Sequence, residues 1–198
     1  MRKFVTRLSD PRLLAVVAAL VIGSISSAQA AVVSYMATLD GLSEAPPNAS
    51  PGLGLAQVDV DATAHTMHVQ LFFFSGLIGT TTAAHIHAPT AVAGTGTASV
   101  ATTTPYFAGF PIGVTSGAYD NTLDMTLTSS YNPSYVTANG GTTAGAEAAL
   151  FLAIASGKAY FNVHSTFAPG GEIRGFLTPG TPVSTSDSSW GRIKLLYR

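Results

Sequence analysis

Residues 53–74 constrain this chain most. In "LAQVDVD", Leu55, Gln57, Asp59 and Asp61 fall on one side, and Ala56, Val58 and Val60 on the other. A tight turn at "DATAH" follows. "TMHVQLFFF" then repeats the alternation, with Met67, Val69, Leu71 and Phe73 facing one way and His68 and Gln70 the other. A period of two is the signature of a half-buried strand, since successive side chains of a strand leave opposite faces. Two such runs around a short turn predict an antiparallel hairpin.

The remainder reads in the same key. "VVSYMATL" (32–39) is a first strand, and the Pro- and Gly-rich stretch 40–54 breaks away as a loop. "AVAGTGTASVA" holds a further short strand, "TPYFAGFPIGVTSGAYDN" is mostly loop, and "TLDMTLT" alternates through Leu123, Met125 and Leu127. "KAYFNVHST" sets Ala159, Phe161 and Val163 against Tyr160, Asn162 and His164, and "GEIRGFL" closes the sheet. "AGAEAALFLAIASG" is the one helical candidate, rich in Ala and Leu and stopped by Gly157. The expected class is all-β, an antiparallel sandwich or barrel with one short helix.

The first thirty residues stand apart. Arg2, Lys3, Arg7 and Arg12 precede the apolar run "LLAVVAALVIG", and "SISSAQA" ends in Ala28-Gln29-Ala30. A basic start, a short apolar core and an A-x-A end describe a secretory signal peptide cleaved near Ala30. The division is then 1–30 signal peptide, 31–180 domain and 181–198 flexible basic tail, with a secreted or periplasmic product. Without the leader, five cations face nine acids, and residues 31–180 hold only Lys158 and Arg174 as cations. Such a domain is poorly suited to nucleic acid, whose binding depends on phosphate neutralisation. There are no cysteines, which excludes disulfides and thiolate metal sites. An exported chain of this kind relies on core packing.

Four short motifs carry a resemblance. Glu44-Ala45-Pro46-Pro47, Ala84-His85-Ile86-His87, Tyr160-Phe161-Asn162-Val163-His164 and Gly171-Glu172-Ile173-Arg174-Gly175 stand in this order. Together, over roughly residues 32–178, they resemble the CHRD family, named for the animal protein chordin. The resemblance implies an extracellular immunoglobulin-like Greek-key β module, and the chain reads as a binding or structural module whose partner would be an extracellular protein or surface ligand. It implies no general catalytic activity.

His85 and His87 are two apart, so on a strand both project to one side while Ile86 turns to the core. Asn162 and His164 repeat the geometry later in the chain. Were these strands neighbours, three imidazoles would meet. Three nitrogen ligands suit copper or zinc and leave a coordination position open. The competing reading is structural, with each ring bonded to backbone. Glu172 and Arg174 offer either a carboxylate-recognising clamp or an internal ion pair, and Glu44 is a further binding candidate or simply a loop acid. His65 and His68 read as solvated hairpin residues, and Asp59 and Asp61 as surface charge. No Gly-x-Ser-x-Gly elbow or phosphate loop is present.

Overall fold

The computed structural model describes residues 32–74 and 76–180. The signal-peptide and tail readings fall outside them. Eight strands follow in chain order: β1 (Val33–Asp40), β2 (Leu53–Asp61), β3 (Thr66–Phe74), β4 (Thr81–His87), β5 (Gly117–Asp124), β6 (Tyr160–Ser165), β7 (Ile173–Phe176) and β8 (Thr178–Pro179). All pair antiparallel in one sheet, in the order β4-β6-β7-β1-β2-β3-β5, with β8 also on β1. The all-β antiparallel expectation holds, realised as a single curled sheet. β4 and β5 lie at opposite ends of the strand order, yet the chain entering β5 laces back to β4. Thr81 N–H donates to Val114 O and Gly113 N–H to Thr81 O.

The β2–β3 hairpin forms in the predicted register, with Val58 opposite Val69 and Ala56 opposite Leu71. Its apolar side is buried and its other side carries Asp59, His68 and Gln70. The turn between them is held by Asp61, whose Oδ1 accepts from Thr63 and Ala64 N–H. The fifth strand begins earlier than the alternation at 122–128 suggests. It runs from Gly117, inside the stretch expected to be loop, and ends at Asp124, leaving Leu127 exposed. Cross-strand pairing with β3 from Phe73↔Gly117 to Thr66↔Asp124 supplies what local sequence does not. The strand expected within 91–101 is reduced to isolated bridges such as His87↔Val100, as Gly94 and Gly96 take positive φ there.

The expected helix spans Thr143–Ala155 and is named α2, because the six-residue α1 (Pro133–Ala138) precedes it. Thr142 caps α2 by accepting from Gly145 N–H. Its Ala146, Leu150, Ala153 and Ile154 are buried, at the spacing of one helical face. The signal for α1 was present in Asn132-Pro133: Asn132 Oδ1 accepts from Ser134 N–H and Pro133 occupies the first turn, where a missing N–H costs nothing. Both helices and the aromatic residues Phe107 and Tyr131 join Leu39, Val58, Val69, Ile86, Phe161 and Ile173 in one core on one side of the sheet. No described helix is long and apolar enough to cross a membrane.

Candidate metal centre

Register places the site. Across the sheet, His85 of β4 sits opposite Asn162 of β6, Asn162 opposite Arg174 of β7, and Arg174 opposite Asp40 of β1. Cross-strand partners share a face, so this row lies on the side away from the core. His87 opposes Tyr160 and His164 opposes Ala83 in the rows on either side. Ile86, Phe161, Val163 and Ile173 fill the core from the same strands.

A polar strand face of this kind would ordinarily be wet. Here it is not: all six residues of β6 are buried. The roof is made of loops that contribute carbonyls. The 41–50 loop offers Ser43 O, the stretch after β4 offers Gly96, Ala98 and Pro105 O, and the β6–β7 loop offers Pro169 O. These acceptors have no side-chain signature, which is why the burial was not legible in the alternation.

The three imidazoles converge. One ligand nitrogen from each of His85, His87 and His164 lies within 4.8 Å of the others, and the three residues are only 6–8% exposed. Each ring has one nitrogen engaged with a carbonyl. His85 Nε2–H donates to Pro105 O at 2.6 Å, His87 Nδ1–H to Ala98 O at 2.9 Å and His164 Nδ1–H to Pro169 O at 2.9 Å. This fixes the tautomers and leaves His85 Nδ1, His87 Nε2 and His164 Nε2 with free lone pairs. His87 Nε2 is buried with no partner. His85 Nδ1 and His164 Nε2 face each other at 3.2 Å. Burial is the main cause that lowers the pKa of all three. His85 falls to about 4, assisted by His164 and His87 and opposed by the Pro105 bond. His87 also falls to about 4, the Ala98 bond opposing and His164 and Arg174 assisting. His164 is lowered by burial against its Pro169 bond. The rings are therefore neutral at pH 7 and able to act as ligands.

Tyr160, which sequence reasoning did not single out, organises the flank. Its ring stacks on His87 at 4.8 Å between centroids with planes 6° apart, and the Arg174 guanidinium lies 4.8 Å from its centroid. Arg174 Nε donates to Ser43 O and Nη1 to Gly96 O at 3.1 Å. Its carboxylate neighbour is Glu44, with Nε to Oε2 at 3.8 Å. Burial pushes Glu44 up to about 7, while Arg174 and the Ala45 N–H pull down and Asp40 adds to the rise. Glu44 Oε1 and Asn162 Oδ1 are buried without partners. Gly171 separates them. Its φ of +135° and the contacts a Cβ would make with the Asn162 amide and Glu44 Oε1 leave no room for another residue.

Glu172 stands elsewhere in the network, and it does not pair with Arg174. It is fully buried and spent on loops. Oε1 accepts from Ser50 Oγ and Ile78 N–H, both at 2.6 Å, and Oε2 from Gly79 N–H at 3.2 Å and from Ser165 Oγ. The binding candidates thus divide. Glu44, Asn162 and Arg174 line the histidine cluster's side of the sheet, whereas Glu172 ties three loops together.

The model of the CHRD domain matches residues 35–177, most of the chain. The chain belongs to the CHRD family. No curated protein and no solved structure gives a significant match. The CHRD match runs from within β1 past the end of β7 and so includes every residue of the site. At family level it supports a non-enzymatic module.

Proposed function

We propose that this CHRD protein is an exported, non-catalytic module that binds one transition-metal ion, copper or zinc, through His85 Nδ1, His87 Nε2 and His164 Nε2. The observation that carries the reading is the 3.2 Å approach of His85 Nδ1 to His164 Nε2. Both rings already give their N–H to a carbonyl, so neither has a proton to place between the two nitrogens. A shared proton would require an imidazolium, and burial holds both rings neutral. Two lone pairs facing each other call for an electron-poor centre. Metal–nitrogen bonds of about 2.0–2.1 Å put ligand nitrogens roughly 3.3–3.5 Å apart at tetrahedral or trigonal angles, close to the 3.2 Å between His85 Nδ1 and His164 Nε2, with His87 Nε2 inside the same 4.8 Å group. The carbonyls of Pro105, Ala98 and Pro169 supply the outer support that metal-bound histidines ordinarily have. An all-nitrogen set without thiolate suits copper and zinc.

Support for export comes from the basic start, apolar run and Ala28-Gln29-Ala30 end of the leader. A purely structural role for the histidines would be served by rings whose second nitrogens also found donors, and His87 Nε2 has none. The experiment is to express the full precursor in an exporting bacterial host, purify the product and measure metal by mass spectrometry alongside its N-terminal sequence. The expected result is about one equivalent of copper or zinc on a chain starting at Ala31. A chain that stays metal-free after incubation with both ions returns the histidines to a scaffold role.

A further inference from the structure

The charge around the centre bears on which ion it holds. The ligand set is neutral, and so is everything behind it, since the second nitrogens rest on carbonyls and not on carboxylates. The charged group that the stack brings closest is a cation. Arg174 lies over the ring of Tyr160, and that ring lies against His87. Glu44 serves as counter-ion to Arg174 at 3.8 Å, so the pair adds little net negative charge. The cost of taking an ion out of water rises with the square of its charge, so a divalent ion costs about fourfold more than a monovalent one before compensation. Of the nearby carboxylates, Glu44 faces Arg174 and Asp40 accepts from Ser43 N–H, and neither joins the three rings to compensate the second charge.

Ligand number points the same way. Among the described residues no fourth His, Asp or Glu joins the cluster. Zinc normally completes four positions, and the nine-tenths burial of all three rings leaves little access for water to fill the last. Monovalent copper is satisfied by three nitrogens in a trigonal arrangement.

We propose that the centre is selective for monovalent copper, holding Cu(I) more tightly than Cu(II) without a fourth ligand. The inference rests on the metal-binding reading above and fixes its charge state. It is tested on the purified full chain by loading copper under anaerobic conditions and titrating the redox equilibrium, following Cu(II) by electron paramagnetic resonance. The expected midpoint lies above the aqueous Cu(II)/Cu(I) couple by at least about 59 mV, a tenfold preference for Cu(I). At about pH 8.5, where the Glu44 carboxyl is ionised, Glu44→Gln leaves Arg174 without its counter-ion and is expected to raise the midpoint further. Arg174→Gln is expected to lower it, and Arg174→Lys to preserve it. Because Arg174 also anchors two loop carbonyls and its variants can fail to fold, Glu44→Gln is the deciding variant. A midpoint at or below the aqueous couple overturns the inference alone, as does a Glu44→Gln midpoint that is unchanged or lower. A chain that takes up zinc but neither Cu(I) nor Cu(II) overturns the inference alone, and one that takes up neither copper nor zinc overturns the metal-binding reading with it.

Discussion

Two groups of histidines at opposite ends of the same sheet meet opposite fates. His68, on the hairpin, has a carboxylate at each ring nitrogen, Asp120 at 2.7 Å and Asp59 at 3.5 Å, and its side chain is about a third exposed. His65 at the turn likewise pairs with Glu147 at 2.9 Å. His85, His87 and His164, at the other end of the sheet, have only carbonyls and one another. The difference is a roof. Over β2 and β3 the described residues supply none, so solvent and acids surround the rings. Over β4 and β6 the loops exclude water, keep the rings neutral and aim three lone pairs inward. The same residue type on the same strand face, as in His68 and His85, becomes an exposed partner of carboxylates or a buried neutral ring with a free lone pair according to what covers it.

The sharpest way to break this comparison is to exchange the alanine substitutions. His85→Ala with His87→Ala is expected to abolish the bound metal, while His65→Ala with His68→Ala leaves it intact; metal content per chain decides. If both double variants keep their metal, the centre is not the one described.

The next largest effect concerns the roof itself. Glu172→Ala removes the acceptor for two side-chain hydroxyls and two backbone N–H groups. Leaving buried donors unpaired should cost about 3 kcal/mol, read as a lower urea midpoint with an unchanged slope. An unchanged midpoint would show that the loops hold without it.

A pH series on metal-free protein sharpens the electrostatic half. His85 and His87 titrate near 4 when folded against the ordinary 6.5. The unfolded chain therefore gains protons first as pH falls. Their contribution to stability is complete above 6.5 and is lost progressively between 6.5 and 4. Glu44 acts with the opposite sign. Held up to about 7 against its ordinary 4.5, it is protonated in the fold before it is in the unfolded chain, so its contribution is complete below 4.5 and lost as pH rises to 7. With two histidines against one carboxyl, acidification from 6.5 to 4.5 should lower the urea midpoint. The His85→Ala, His87→Ala variant should flatten or reverse that slope, and an unaltered slope would remove these rings from the titration.

The smallest effect belongs to the open end. His68→Ala should change stability by less than about 1 kcal/mol, because solvent screens its pairs with Asp59 and Asp120. A larger loss by thermal melting would mean that this end is more shielded than its exposure indicates.

Much of the site was legible before folding. His85 and His87 declared themselves by spacing, Ile86 as a core residue between them, and Asn162 and His164 by the same alternation on β6. Other parts were not. The pairing of Arg174 with Glu44 joins residues far apart in the chain, and nothing local distinguishes it from a pair with Glu172. Tyr160 read as one aromatic in an alternating strand, and its stack between His87 and Arg174 depends on register. The strand beginning at Gly117 was hidden because its first residues are held by pairing with β3 and not by their own preference.

Alternation, turn residues and four motifs were enough to determine an antiparallel β chain and the face on which each histidine would stand. Those are properties of a period of two, and a single strand already possesses them. Which strands became neighbours, which loops closed over the polar face and which carbonyl met each imidazole were decided only in three dimensions. Backbone acceptors are the same at every residue, and only the folded chain chooses the ones that point at a ring.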